Sequence, residues 1–151
     1  MKAKGPNKAV KGLQNRRARF DYELGDSFLV GIELTGAEVK SLRQGRGQLQ
    51  GSYVNVQGGE LYLIGAKIFG TVSGPIEESL QTRNRKLLAK RREIDKMIGA
   101  RQQGLSIVPN EILARGRYIK LKISLAKGKK RYDKRQSIKK REQDRQIRRT
   151  V

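Results

Sequence analysis

The chain has 151 residues, a formal net charge of +21 and neither cysteine nor histidine. Disulfides, thiolate chemistry, the usual Cys/His zinc sites and His-dependent triads are thereby excluded. So cationic a chain points to nucleic acid as partner, with an anionic membrane surface as the competitor; no apolar run approaches the ~20 residues that span a bilayer.

Residues 1–14 are rich in Lys and Gly, with Pro6, and lack the apolar stretch of a signal peptide. They are expected to form a flexible basic arm on a cytoplasmic protein. The segment Asn15-Arg16-Arg17-Ala18-Arg19 is a basic lead-in, solvated or contacting phosphate through its guanidiniums, with Asn15 on a base or sugar edge. A first strand is expected over Asp21–Leu34, where Tyr22, Leu24, Phe28, Val30, Ile32 and Leu34 share one parity. Gly25-Asp26 marks a bulge or turn within it.

Thr35-Gly36 opens a short helix, AEVKSLRQG. Thr35 stands three residues before Glu38, the spacing of a capping box, and Gly45 is the stop. Glu38, Lys40 and Arg43 lie here. Glu38 is read as an exposed acid that caps, pairs with local bases or accepts from a base amino group. Two β-rich runs, GSYVNVQ and ELYLIGAKI, flank Gly58-Gly59, a hairpin signal because the tight turn needs positive φ. Residues 70–81 read as loop. Arg83–Gln103 reads as the main helix, with Leu87, Leu88, Ile94, Met97 and Ile98 on its apolar face and Gly104 as its stop. Arg85, Lys86, Lys90, Arg91, Arg92 and Lys96 make its other face a candidate for phosphate. A last hairpin, LSIVPNEILA and YIKLKISLA, turns at Arg115-Gly116-Arg117, with Ile119, Leu121, Ile123 and Leu125 on one side.

From Lys127 onward the composition changes. Twelve Lys or Arg face only Asp133, Glu142 and Asp144, which places about +9 of the charge in this segment. Its few sizeable apolar groups cannot offset the entropy of ordering it alone. A helix is therefore expected only against a surface that cancels its charge. The fold class expected is mainly β: an OB-like antiparallel barrel with two flanking helices and a disordered basic C-terminal tail. The parts are a flexible arm (1–14), an RNA-binding barrel domain (15–127) and a tail (128–151).

The segments NRRARFDYE, GIELTGAEVKSLRQGR, RKLLAKRREI and AKGKKRYDKR, in that order over about residues 13 to 145, resemble the tmRNA-binding small protein B family (SsrA-binding protein) of bacterial trans-translation. The resemblance implies a monomeric, non-enzymatic adaptor without cofactor. It implies binding to the tRNA-like domain of tmRNA, which lacks an anticodon arm, and filling of the missing volume. Elongation factor Tu then brings the alanylated complex to a stalled ribosome. The tail folds as a helix in the empty mRNA channel, against small-subunit rRNA. Carried over by position, Asn15 is expected on the RNA-binding face and Glu38 and Lys40 near it; Arg16, Arg17, Arg19, Arg43, Arg85 and Lys86, from the basic segments, are expected to contact RNA with them. Phe20, Lys127, Gly128, Lys129, Lys130, Tyr132, Asp133, Lys134 and Arg135 are expected at the decoding centre and channel.

Some positions depart from the family pattern. Phe20 stands where members usually have a His, so a flat face is kept but no proton can be held. Leu29 stands where an acid is common. Glu78-Ser79-Leu80-Gln81 replaces a His-Asp-Pro loop, and Lys90 is often His. Two other readings fit composition alone: a general OB-type single-strand or ribosomal RNA binder, and a magnesium-dependent nuclease using Asp21, Asp26, Glu33 or Glu38. The second lacks a carboxylate cluster with metal-site spacing.

Overall fold

The computed structural model describes residues 13–128 and 131–150. In chain order the elements are α1 (Arg16–Asp21), β1 (Tyr22–Ile32), α2 (Gly36–Arg43), β2 (Gly47–Gln48), β3 (Tyr53–Gln57), β4 (Glu60–Ile64), β5 (Lys67–Ile68), α3 (Glu78–Gln81), β6 (Arg85–Leu88), α4 (Arg91–Gln102), β7 (Ser106–Leu113), β8 (Lys120–Gly128) and α5 (Arg131–Thr150). Six strands form an antiparallel barrel in the order β1-β6-β4-β3-β7-β8, and β8 pairs back to β1. Every barrel strand thus has two neighbours, which removes the exposed edges on which strands aggregate. The short strands β2 and β5 make a separate two-stranded sheet.

The interior is filled from alternate positions. Val30, Ile32, Leu61, Leu63, Leu87, Leu121 and Ile123 are buried, and Ile94 and Met97 of α4 pack onto the same core. The alternation expected in β1 is present, that of β8 holds to Ile123 before Ser124, Leu125 and Ala126 are buried in succession, and the register shifts between Leu24 and Ser27, where Gly25-Asp26 suggested a bulge. Gly58 and Gly59 have φ of +57° and +77°, so the β3–β4 turn needs residues without a Cβ penalty. In β7 the register shifts between Pro109 and Glu111. Pro109 has no N–H to donate to the ladder, which suits it to that irregular position.

The expected single helix over Arg83–Gln103 is two elements. Arg85 and Leu87 are buried while Leu88 is exposed, the alternation of a strand, and β6 fills the slot between β1 and β4. Lys90 is the N-cap from which α4 starts. Tertiary demand for a sixth strand overrides a local pattern that fits a helix equally well. Three further differences are smaller. Residues 16–21 form a helix rather than an irregular lead-in, α3 interrupts the expected loop, and helices beyond the expected two flank the barrel. Residues 1–12 of the expected arm lie outside the described residues. Its last two residues run beside β7: Gln14 bridges Glu111, and Ile112 donates its N–H to the Leu13 carbonyl at 2.8 Å.

The tail segment expected to be disordered is helical from Arg131 to Thr150. Lys, Arg, Glu and Gln lose little rotamer freedom in a helix, which accounts for the local preference.

Leu121, near the start of β8, is fully buried. Leu121→Ala is expected to destabilise the fold by about 3 kcal/mol, read as a lower urea midpoint with an unchanged slope.

Candidate nucleic-acid interface

One interior cluster fixes the geometry of the site. The capping box at α2 forms as the spacing suggested: Thr35 Oγ1 accepts from the Glu38 N–H at 3.3 Å, and Glu38 Oε1 accepts from the Thr35 N–H at 2.9 Å. The Glu38 carboxylate then turns inward. It accepts from Arg83 and, at 2.6 Å, from Arg85 Nε. Arg85 is wholly buried and its remaining donors reach the carbonyls of Ala66 (2.9 Å), Arg83 (3.1 Å) and Gln81 (2.9 Å). A buried ion pair persists only when its other donors and acceptors are also satisfied, and here they are.

Two expected surface contacts are therefore corrected. Glu38 and Arg85 are interior and engaged with each other, so neither side chain is turned to an RNA surface. Burial pushes the Glu38 carboxyl up, but the hydrogen bonds from Arg83, the Thr35 amide and Arg85 outweigh it and hold the group below the usual carboxylate range. Burial lowers the Arg85 guanidinium, with Glu38 opposing. Asn15 is likewise buried: its Nδ2 donates to the Pro109 carbonyl at 3.0 Å and its N–H to the Asn110 carbonyl at 2.7 Å. It pins the start of α1 to β7 instead of standing open.

The other positions reach the surface in two groups. Arg16, Arg17 and Arg19 are exposed on α1, beside half-buried Phe20. Glu23 pairs with Lys127 and Tyr22 with Gly128, so the end of β8 returns to the foot of α1. Lys127 and Gly128 are exposed there, and α5 follows. The Arg17 guanidinium lies 4.9 Å from the Phe20 ring centroid and that of Arg141 lies 5.7 Å from it. A cavity of about 1010 Å³ between α1 and α5 includes Arg16, Arg19, Phe20, Lys122, Ile138 and Arg141 in its lining. A flat ring amid guanidiniums suits a base and its phosphates.

Lys40 and Arg43 are exposed on α2, away from that group, and Lys86 is half-buried on β6. Arg135 is exposed on α5. Tyr132, Asp133 and Lys134 fall within α5, while Lys129 and Lys130 lie outside the described residues. Sequence reasoning missed Arg83 as a Glu38 partner and Arg141 as a Phe20 neighbour; long-range pairs of this kind leave no trace in local spacing. Three carboxylates of the nuclease alternative face cations: Asp21 with Arg17 at 3.4 Å, Asp26 with Lys96 at 3.4 Å, and Glu38 as above. Among the described residues no helix is long and apolar enough to cross a membrane.

A family model described as SmpB protein matches residues 12–151. The chain belongs to the SmpB family. The SsrA-binding protein of Salinispora tropica is 46% identical over 138 residues, spanning 91% of this chain and 87% of that protein. The SsrA-binding protein of Enterococcus faecalis is 40% identical over 149 residues, 98% of this chain and 96% of that one. Among solved structures, a chain described under tmRNA-SmpB and the center of the bacterial ribosome is similar at TM-score 0.66 and 38% identity, covering 85% of this chain and 94% of that chain. This SmpB family member therefore shares both its sequence and its β-rich fold with those relatives.

The Glu38–Arg85 pair gives a test. Glu38→Gln keeps the size and the N-cap bond but leaves Arg85 buried without a counter-charge. It is expected to cost about 3 kcal/mol at pH 7. Because the folded carboxyl titrates below its unfolded value, its stabilisation is full above the unfolded carboxylate range and is lost as pH falls through the lower folded value. The stability gap between wild type and Glu38→Gln should shrink across that acid window, measured by urea unfolding at stepped pH.

Proposed function

We propose that this protein binds the tRNA-like domain of tmRNA and delivers it to stalled ribosomes for trans-translation, so that incomplete peptides are tagged and the ribosomes are freed. Its kinship with the SsrA-binding proteins and with a solved tmRNA–SmpB chain supports this reading. The single observation that carries it beyond kinship is the pairing of Tyr22 with Gly128. That pairing joins the basic helix α1 and the root of the cationic tail at one end of a rigid barrel. One end can then enter a phosphate-walled site while the rest of the barrel is free to hold a second RNA.

In this reading the protein is a cytoplasmic binding adaptor, not an enzyme, and works as a monomer without cofactor. Elongation factor Tu carries the alanylated tmRNA together with it. Residues 15–127 grip the tRNA-like domain. Residues 128–151 follow the mRNA channel, with Lys127, Gly128 and Arg135 near its mouth and Phe20 flat against a decoding-centre base. An isolated helix of this length is marginal in water, and like charges along it repel. Channel phosphates remove that repulsion, so the helix of α5 is strengthened on the ribosome.

The division of labour is tested by ending the chain after Gly128, which keeps every β1–β8 pair. The shortened protein is expected to bind tmRNA with nearly unchanged affinity and to lose peptide tagging in a reconstituted translation reaction. Equal loss of both activities would overturn it. Competition of tmRNA against bulk tRNA at ~150 mM salt separates this reading from a general RNA binder, because specificity is a difference of affinities and the phosphate term is common to both.

A further inference from the structure

The end of the barrel away from α1 carries its own exposed ring and cations. Strand β8 has nine residues, so at ~3.3 Å per residue its start at Lys120 lies roughly 26 Å from the α1 end. The β7–β8 turn stands at that far end, with Arg115, Gly116, Arg117 and Tyr118 all exposed. Tyr118 is 68% exposed, more than any other Tyr or Phe among the exposed large hydrophobics. The Arg117 guanidinium lies 5.7 Å from its ring centroid. A cation over one face leaves the ring an opposite face against which a flat group can stack.

The turn is held from outside. Gly116 has φ of +82°, and Nη2 of Arg43, the last residue of α2, donates to the carbonyls of Gly116 and Arg117, both at 3.3 Å. Water would satisfy those exposed carbonyls as well, so the guanidinium adds shape rather than satisfaction: it fixes the turn in one form before any partner arrives. Lys40, one helical turn before Arg43, and Lys120, the first residue of β8, are exposed at the same end. Glu33, just past the end of β1, is an exposed acid there, and these cations outweigh it.

We propose that the β7–β8 turn is a second RNA contact: an unpaired base stacks on Tyr118, Arg115 and Arg117 take the flanking phosphates, and Arg43 is a positioning residue that fixes the turn. Aromatic rings interleaved with guanidiniums are the chemistry that receives unstacked bases of a folded RNA. The inference rests on the function proposed above and assigns its partners to ends. The α1 and tail end meets the ribosome, and the Tyr118 end, roughly 26 Å away, meets the tRNA-like domain of tmRNA.

The test uses the full chain, a transcribed tRNA-like domain and purified ribosomes, with affinities read separately. Tyr118→Ala is expected to weaken binding of the tRNA-like domain about tenfold, the scale of one lost base stack, while Tyr118→Phe restores it. Arg43→Ala should weaken it in the same direction with the Tyr118 ring intact. The pair Arg115→Ala with Arg117→Ala should flatten the dependence of log K on log salt by about 1 to 2 units. Ribosome affinity should stay at the wild-type level. Melting temperatures close to wild type are expected, since the substituted side chains are exposed. Tyr118→Ala binding within twofold of wild type would overturn the proposal, as would a loss confined to the ribosome arm. Wild-type protein that prefers tmRNA over bulk tRNA keeps the parent function standing in either case; wild-type protein without that preference removes both.

Discussion

The buried pair of Glu38 and Arg85 is the constraint on which the arrangement of this protein depends. A guanidinium inside a barrel of Leu, Ile and Val is costly unless a carboxylate and carbonyls receive it. Meeting that demand forces four separate pieces of chain together. Glu38 comes from the first turn of α2, Arg85 from β6, the Ala66 carbonyl from the segment before β5, and the Gln81 carbonyl from α3. Because the same carboxylate also closes the capping box with Thr35, the direction in which α2 leaves β1 is set by the same group. Arg43 lies at the other end of α2, so the brace on the β7–β8 turn inherits its position from the buried pair.

Much of this was legible in the sequence, for identifiable reasons. The β7–β8 hairpin shows four inward apolar residues at period two, Gly58-Gly59 supplies the positive φ a tight turn needs, and Thr35 with Glu38 is a local signal complete within four residues. What was not legible depends on partners distant in sequence. Strand β6 is four residues long, too short for its alternation to be distinguished from a helix face, and its inward residues include an arginine. Polarity alone assigns Arg85 and Glu38 to the surface. Only the discovery that each supplies what the other lacks places them inside. Helix α1 was hidden for another reason: its N-cap Asn15 makes no side-chain cap bond, and it buries Ala18 alone.

Charge and topology then divide the molecule by ends. β1 and β8 are the longest-paired strands, matched from Tyr22–Gly128 to Gly31–Lys120 with one register shift between Leu24 and Ser27. Together they act as a ruler between the α1 end and the turn end. The apolar core keeps that ruler stiff, since close-packed interiors shift in discrete steps rather than bend. A stiff spacer with cationic groups at both ends is what a particle needs if it must touch two phosphate-rich bodies at once. A flexible one would let both ends collapse onto the same RNA, the electrostatic attraction being much the same for each.

The absence of histidine sharpens this further. With no His and no Cys, no side chain of the chain has an ordinary pKa between about 5 and 8. Phe20, bracketed by Arg17 and Arg141, offers a ring whose contacts rest on permanent guanidinium charge and on a flat apolar face. Near neutrality no imidazole or thiol is present to regulate either end. Ionic strength can regulate both, because each phosphate contact displaces counterions. In the proposed reading, ends that respond alike to salt keep a constant balance between the two RNA partners, and the shape-dependent contacts, the exposed rings and the braced turn, decide which RNA goes where.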